Sequence, residues 1–272
     1  MSYTRSSARA LRRTVLSYYR KHGRHDLPWR KTHDPYRIMV SEIMLQQTQV
    51  DRVIPKYRAF IRKFPTVRAL ARAPLSAVLR EWHGLGYNRR AKMLHQAAQA
   101  IVKKHNGRFP LDRNDLIDLP GIGPYTASAI RVFAHNQPDS LIETNVRAVF
   151  LHHFFPKKQK IADFVLLPYI EALTDTKAPR EWYSALMDYG SYLKKTVPNP
   201  SRRSAHHTRQ KPFKGSDREI RGAILKALVL KDASMSQLLS LPFENERIKK
   251  QLRMLVHESL VAISGRRVSL AD

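Results

Sequence analysis

The chain contains no cysteine, and that single absence removes whole classes of chemistry. No disulfide can staple the fold, no thiolate can act as a nucleophile, and neither a thiolate zinc site nor a cysteine-ligated iron-sulfur cluster can form. Acidic residues are scarce too: 22 Asp and Glu stand against 49 Lys and Arg, a net charge of +27 over 272 residues. Such an excess attracts a polyanion. Because the cations run along the whole chain rather than in one tail, a folded nucleic-acid-binding protein is expected, not a neutral domain with a basic arm. Long apolar runs are also missing, since none approaches the roughly 18 residues of a membrane span. The start carries Arg5, Arg9, Arg12 and Arg13 but no signal-peptide core. A cytosolic protein without membrane contact is expected, associated with the nucleoid in a prokaryote.

What is present, through about residue 195, is helical periodicity broken by short Pro, Gly and Asp punctuation. Amphipathic runs cover 11–20, 54–64, 77–82, 90–105, 114–119, 125–134, 146–155 and 183–194, and no repeated alternation of the kind a sheet needs is found. The expected fold class is all-α, built of many short helices. From Thr196 the segment VPNPSRRSAHHTRQKPFKGS, with no acid before Asp217, reads as a basic linker or extended loop. Beyond it, helices are expected over 217–230, 236–241 (Ser234 a possible cap) and 245–258. LVAIS and RRVSL then flank a Ser-Gly-Arg turn in the pattern of a β-hairpin. Three helices and a hairpin is the order of a winged helix-turn-helix, whose third helix, here carrying Arg247, Lys249, Lys250 and Arg253, would enter a major groove; the alternative is a protein-contact module. The organisation expected is 1–195, a linker 196–216, and a winged-helix-like module 217–272.

Three short stretches point to chemistry. In DPYRIMVSEIMLQQTQV, Ile38, Met39, Val40, Ile43, Met44 and Leu45 spread around most of a helix, which marks it as buried. Glu42 sits inside it, where desolvation favours the protonated form. In LPGIGPYTASAI, Gly121 and Gly123 supply a tight turn and Pro124 opens the next helix; backbone N-H groups at such a terminus suit a phosphate. In LIETNVRAVF, Glu143 lies just before a helix and is either a plain cap or a carboxylate placed at the helix mouth.

SEIMLQQTQV, GLGYNRRAKML, LPGIGPYTASAI and IETNVRAVF, in this order after DLPWR and DPYRIMVSE, resemble the helix-hairpin-helix DNA glycosylases, and most of all the MutY-type adenine glycosylases, over roughly residues 27–193. The resemblance implies two helical subdomains, cleavage of the N-glycosidic bond of a flipped-out base, and a partner that is double-stranded DNA with a mispaired or damaged base. It makes Glu42 the acid that protonates the departing base and Glu143, supported by Asn145, the anion that stabilises the sugar cation. The family has an aspartate where Glu143 stands; one extra methylene could misplace the carboxylate, and an error on that scale can cost about 10²-fold in rate. Tyr125 occupies the place of the lysine nucleophile of endonuclease III relatives, which implies a monofunctional enzyme.

By the same resemblance Gln47 and Tyr87 insert into the duplex, while Arg89, Arg90, Gln46, Gly121, Gly123 and Thr126 contact DNA. The family's first cluster cysteine aligns with Lys194, so no cluster is expected and no cofactor. Arg202 and Arg203 of the basic segment, with Lys249 and Arg253 in the C-terminal module, take up further DNA contacts. His206 and His207 are adjacent, a poor spacing for one metal. The usual Nudix-like C-terminal domain is replaced by the winged-helix-like module. A monomer acting on adenine is expected; the alternatives are a thymine or uracil mismatch glycosylase and a non-catalytic lesion sensor.

Overall fold

The structure is a computed structural model and describes residues 4–208 and 212–272; Arg209, Gln210 and Lys211 of the basic segment lie outside them. The helices are α1 (Arg5–His22), α2 (Pro35–Leu45), α3 (Val50–Lys63), α4 (Val67–Arg72), α5 (Leu75–Trp82), α6 (Arg89–His105), α7 (Arg113–Ile117), α8 (Pro124–His135), α9 (Thr144–Phe154), α10 (Asp163–Leu173), α11 (Pro179–Thr196), α12 (Asp217–Leu230), α13 (Met235–Leu239) and α14 (Asn245–His257). Three short strands, β1 (Ala233–Ser234), β2 (Val261–Ser264) and β3 (Arg267–Leu270), follow the same order. The all-α expectation holds, with every expected helix present. Helices α4 and α10 and strand β1 were not anticipated, and α2 stops at Leu45, so that Gln46 and Gln47 lie beyond it.

The chain forms two compact units, Met1–Met39 with Gly123–Arg209, and Val40–Ile122 with Gln210–Asp272. In the first, α11 packs along α9 and α1, burying Val15, Phe150, Trp182, Tyr183 and Leu186. Close approach is possible because position 190 has no side chain: a Cβ there would stand 2.2 Å from the Asn145 carbonyl oxygen. Asp188 on α11 is 3% exposed and is matched by two arginines. Arg24 donates to it through its backbone N-H (2.8 Å) and Nε (2.6 Å), and Arg30 through Nη1 (2.5 Å) and Nη2 (2.9 Å). Burial alone would raise the Asp188 pKa; the Arg30 bond and the two positive charges more than offset it and hold it below the usual range.

In the second unit α4 and α5 pack on α6 around Phe60, Leu70, Val78, Trp82, Leu94 and Ile101. The C-terminal residues add α12 and α14, packed through Ile224, Leu228, Ile248 and Leu252, and a sheet of order β1-β3-β2. The β2–β3 hairpin is antiparallel, with Ile263 opposite Val268 and Ser264 opposite Arg267, and β1 joins the other edge of β3. This module is fixed to the helices before it: Arg80 Nε donates to the Val229 carbonyl (3.4 Å) and Lys92 Nζ to that of Glu258 (2.7 Å).

Candidate active site

Helix α2 opens at Pro35, with Asp34 accepting the Tyr36 N-H at 2.9 Å, and its buried residues run without interruption from Ile38 to Met44. Glu42 is among them, 7% exposed. The helix then ends in a turn where Gln47 is exposed and adopts a left-handed φ of 54°. Tyr87, the other expected insertion residue, is 38% exposed and likewise left-handed, at φ 48°. Non-glycine residues seldom take that conformation, and where they do it clusters at functional sites.

Arg90 joins the two turns. Its Nη1 donates to the carbonyls of Ile43 (2.7 Å), Met44 (3.1 Å) and Gln46 (2.6 Å), and its Nη2 to Thr48 Oγ1 (3.1 Å), Gly86 O (3.1 Å) and Leu85 O (3.4 Å). Burial lowers its pKa to about 10, with the neighbouring Tyr87 opposing, so it stays charged at neutral pH. The guanidinium faces inward onto backbone carbonyls that a helix end leaves open, so a phosphate contact of the kind expected for Arg90 would compete with these bonds. Arg89, beside it, is exposed.

The turn before α8 runs as expected. Gly121 has φ +75° and a Cβ there would come within 2.5 Å of the Met93 Cβ, whereas a Cβ on Gly123 would meet nothing within 4 Å. The space over Gly123 is open to a ligand. Gly123 is the N-cap of α8, with Pro124 at its first position. Thr126 is buried, 2% exposed. Tyr125 is half-buried.

Glu143 is both alternatives at once, a helix cap whose carboxylate stands at the mouth of α9. Its Oε1 accepts from the backbone N-H of Asn145 (2.8 Å) and Val146 (2.9 Å), and its Oε2 from Asn145 Nδ2 (3.0 Å). All three donors belong to the first turn of α9, so the carboxylate is held at the N-terminus of its own helix. Lys194 on α11, one turn beyond Gly190, is half-buried; desolvation lowers its pKa, while the Glu143 charge pulls the other way.

The fold family implies an iron-sulfur cluster, and the residues here do not fit one. The chain has no thiolate, and among the described residues no group of His, Asp and Glu is placed to hold a metal ion. The segment after α11 is closed by hydrogen bonds. Asn199 caps a 3₁₀ turn over Pro200–Arg203, Ile161 and Ser204 form a bridge, and Arg203 donates to the carbonyls of Leu151 (2.8 Å) and Pro156 (3.0 Å). Arg203, expected to contact DNA, clamps the end of α9 through these bonds, while Arg202 is exposed. His206 Nε2 accepts the Asp163 N-H at 3.4 Å. In the C-terminal module Arg253 is exposed and Lys249 pairs with Glu246 at 2.8 Å.

Two contacts were invisible to sequence reasoning. Lys194 lies near Glu143, and Arg218 Nη1 donates to the Tyr87 hydroxyl at 3.1 Å across 131 positions. Neither residue belongs to a local motif, so no signal along the chain could have joined them.

Comparison with known proteins identifies the family of the chain. Residues 40–166 match the family model of the HhH-GPD superfamily base excision DNA repair protein. The adenine DNA glycosylase of Mycolicibacterium smegmatis is 38% identical over 233 residues, covering 79% of this chain and 78% of that protein. That of Buchnera aphidicola subsp. Baizongia pistaciae is 38% identical over 181 residues, and the chain spans only 52% of its length. Among solved structures, a thermostable thymine-DNA glycosylase superposes with a TM-score of 0.61 at 26% identity, covering 68% of this chain and 87% of that one. The chain belongs to the HhH-GPD superfamily of base excision DNA repair proteins and is MutY-like within it.

Proposed function

We propose that the protein is a monofunctional DNA glycosylase that acts as a monomer in the cytoplasm, or on the nucleoid of a prokaryote, and removes adenine from a mispair in duplex DNA. In this reading Glu42 protonates the departing base, the C1′–N bond breaks with its electron pair leaving on the base, and Glu143 stabilises the oxocarbenium-like sugar. Water then adds to C1′ and gives up a proton, leaving an abasic site. The observation that carries the reading is the three-point anchoring of Glu143 by Asn145 and Val146. It fixes a carboxylate at a helix mouth, which supports a role for Glu143 in place of the family's aspartate. Tyr125 offers no amine for a Schiff base. Gly121, Gly123 and the N-H groups of α8 take phosphate; Gln46, Gln47, Tyr87, Arg89 and Arg202 contribute from the helical part. Residues 1–195 form the catalytic domain, 196–216 the linker, and 217–272 a winged-helix-like module that adds Lys249 and Arg253.

Single-turnover base release tests this, using duplexes with A opposite 8-oxoguanine, A opposite G, T or U opposite G, and hypoxanthine, with alkaline work-up. Glu42→Gln and Glu143→Gln should each slow release by at least about 10²-fold while leaving DNA affinity nearly unchanged, and borohydride should trap little covalent adduct. Release of T or U alone would establish the second reading, a mismatch thymine or uracil glycosylase, which the likeness to the thymine-DNA glycosylase structure favours. If lesion DNA binds tightly and no base is released, the protein is a sensor.

A further inference from the structure

Two exposed rings and two guanidinium groups converge beside the left-handed turn at Tyr87. Arg218, in the first turn of α12, donates from Nη1 to the Tyr87 hydroxyl (3.1 Å) and from Nη2 to the Pro212 carbonyl (3.3 Å), and its guanidinium carbon stands 6.0 Å from the centroid of the Phe213 ring. Phe213 itself is 58% exposed. The Arg90 guanidinium carbon stands 5.5 Å from the Tyr87 ring centroid. The segment carrying Phe213 is pinned to the C-terminal module. Gly215 N donates to Glu219 Oε2 (2.6 Å), Ser216 Oγ to Phe213 O (2.6 Å), and Arg247 Nη2 to Gly215 O (3.0 Å) and Asp217 Oδ1 (2.8 Å). The module is in turn fixed through Lys92 and Arg80 to the helices that flank Tyr87.

With its segment held by these polar contacts, Phe213 keeps more than half of its surface open to solvent and to a stacking partner. Exposed aromatic faces interleaved with guanidinium groups are the composition that takes up unpaired bases, the rings stacking on the base and the cations meeting its phosphate. Within the reading proposed above, Tyr87 enters the duplex where a nucleotide has been extruded, which leaves one base without a partner. We propose that Phe213 and Arg218 form, together with Tyr87, a stacking platform for the base left unpaired opposite the extruded nucleotide. The C-terminal module thereby contributes to recognition of the opposite strand through the segment ahead of α12, whatever its third helix does. The occupant is a purine or pyrimidine face with one adjacent phosphate.

The test rests on the wedge part of that reading but not on catalysis. The full-length protein is titrated with a duplex carrying an uncleavable tetrahydrofuran abasic analogue opposite 2-aminopurine, and with the same duplex intact. Stacking should quench the 2-aminopurine when the wild type binds. In Phe213→Ala and Arg218→Ala the quench should fall by at least half and the preference for gapped over intact duplex by about 10-fold. Phe213→Tyr, which keeps the ring, should retain both. Wild-type quench and preference in Phe213→Ala would overturn the proposal, as would Phe213→Tyr being as impaired as Phe213→Ala, since that would mark a fold defect. If the wild type releases no base from any duplex while the fluorescence behaves as expected, the glycosylase reading fails and the platform stands.

Discussion

Replacing Arg90 with methionine removes a side chain that ties the end of α2 to the turn before α6. The carbonyls of Ile43, Met44 and Gln46 lie at a helix terminus, with no N-H further along the helix to take them, and all three accept from Arg90 Nη1. Leaving a buried acceptor unmet costs about 1–3 kcal/mol each. Water entering the gap recovers part of that, so a net loss of about 3–5 kcal/mol is expected, close to the cost of breaking a buried charged network. At about 2–4 °C per kcal/mol for a domain of this size, the melting temperature should fall by about 10 °C. Arg90→Lys keeps the charge but, as a single point donor, cannot bridge both turns; it should recover less than half of the loss. Urea and thermal denaturation followed by circular dichroism measure both. A loss below about 1 kcal/mol in Arg90→Met, or a lysine as good as arginine, would refute the view that the fork itself holds the turns.

Two further perturbations separate folding from ligand contact. Gly123→Ala should leave the melting temperature nearly unchanged, because its Cβ meets nothing in the protein, yet weaken binding to duplexes of every sequence alike. Gly121→Ala, at φ +75° and against Met93, should lose stability by about 1–2 kcal/mol as well; equal behaviour of the two in a melting and salt-titration series would contradict this assignment. His153 is half-buried, with its Nε2 3.2 Å from the Tyr189 hydroxyl, and desolvation, with the His152 charge adding, pushes its pKa down to about 4. The unfolded chain therefore binds the proton more readily between about pH 6.5 and 4, and stability should fall as pH drops through that window. His153→Phe should flatten that dependence in melts recorded across it.

The periodic parts of the chain were legible because amphipathic helices announce themselves. Helix α4 is only Val67–Arg72, with too few turns to set a pattern. Helix α10, DFVLLPYIEAL, is apolar on every side and contains Pro168, so no stripe distinguishes it from a buried loop. Glu42 and Gly121 could be singled out because each violates its immediate surroundings, a carboxylate in an apolar helix and a turn glycine between helices. Arg90 and Arg203 could not be assigned. Their partners are backbone carbonyls at helix ends, a demand that composition never displays, and in a chain with 49 cations every arginine looks like a phosphate ligand. Glu143 was readable as cap or site, but its three bonds to Asn145 and Val146 depend on a side-chain rotamer that sequence does not display.

The left-handed turns at Gln47 and Tyr87 bear on kinetics. Each conformation costs a non-glycine residue about 1–2 kcal/mol, and here it exists in the free protein, braced by Arg90 from below. A scanning enzyme that had to reshape these turns at each encounter would add its own barrier to that of opening the helix. If these tips enter a duplex as proposed, having both already set would leave the slow coordinate in the nucleic acid: how readily a given base pair gives way would decide how long the protein pauses there, so weakly paired or mismatched steps would be sampled first.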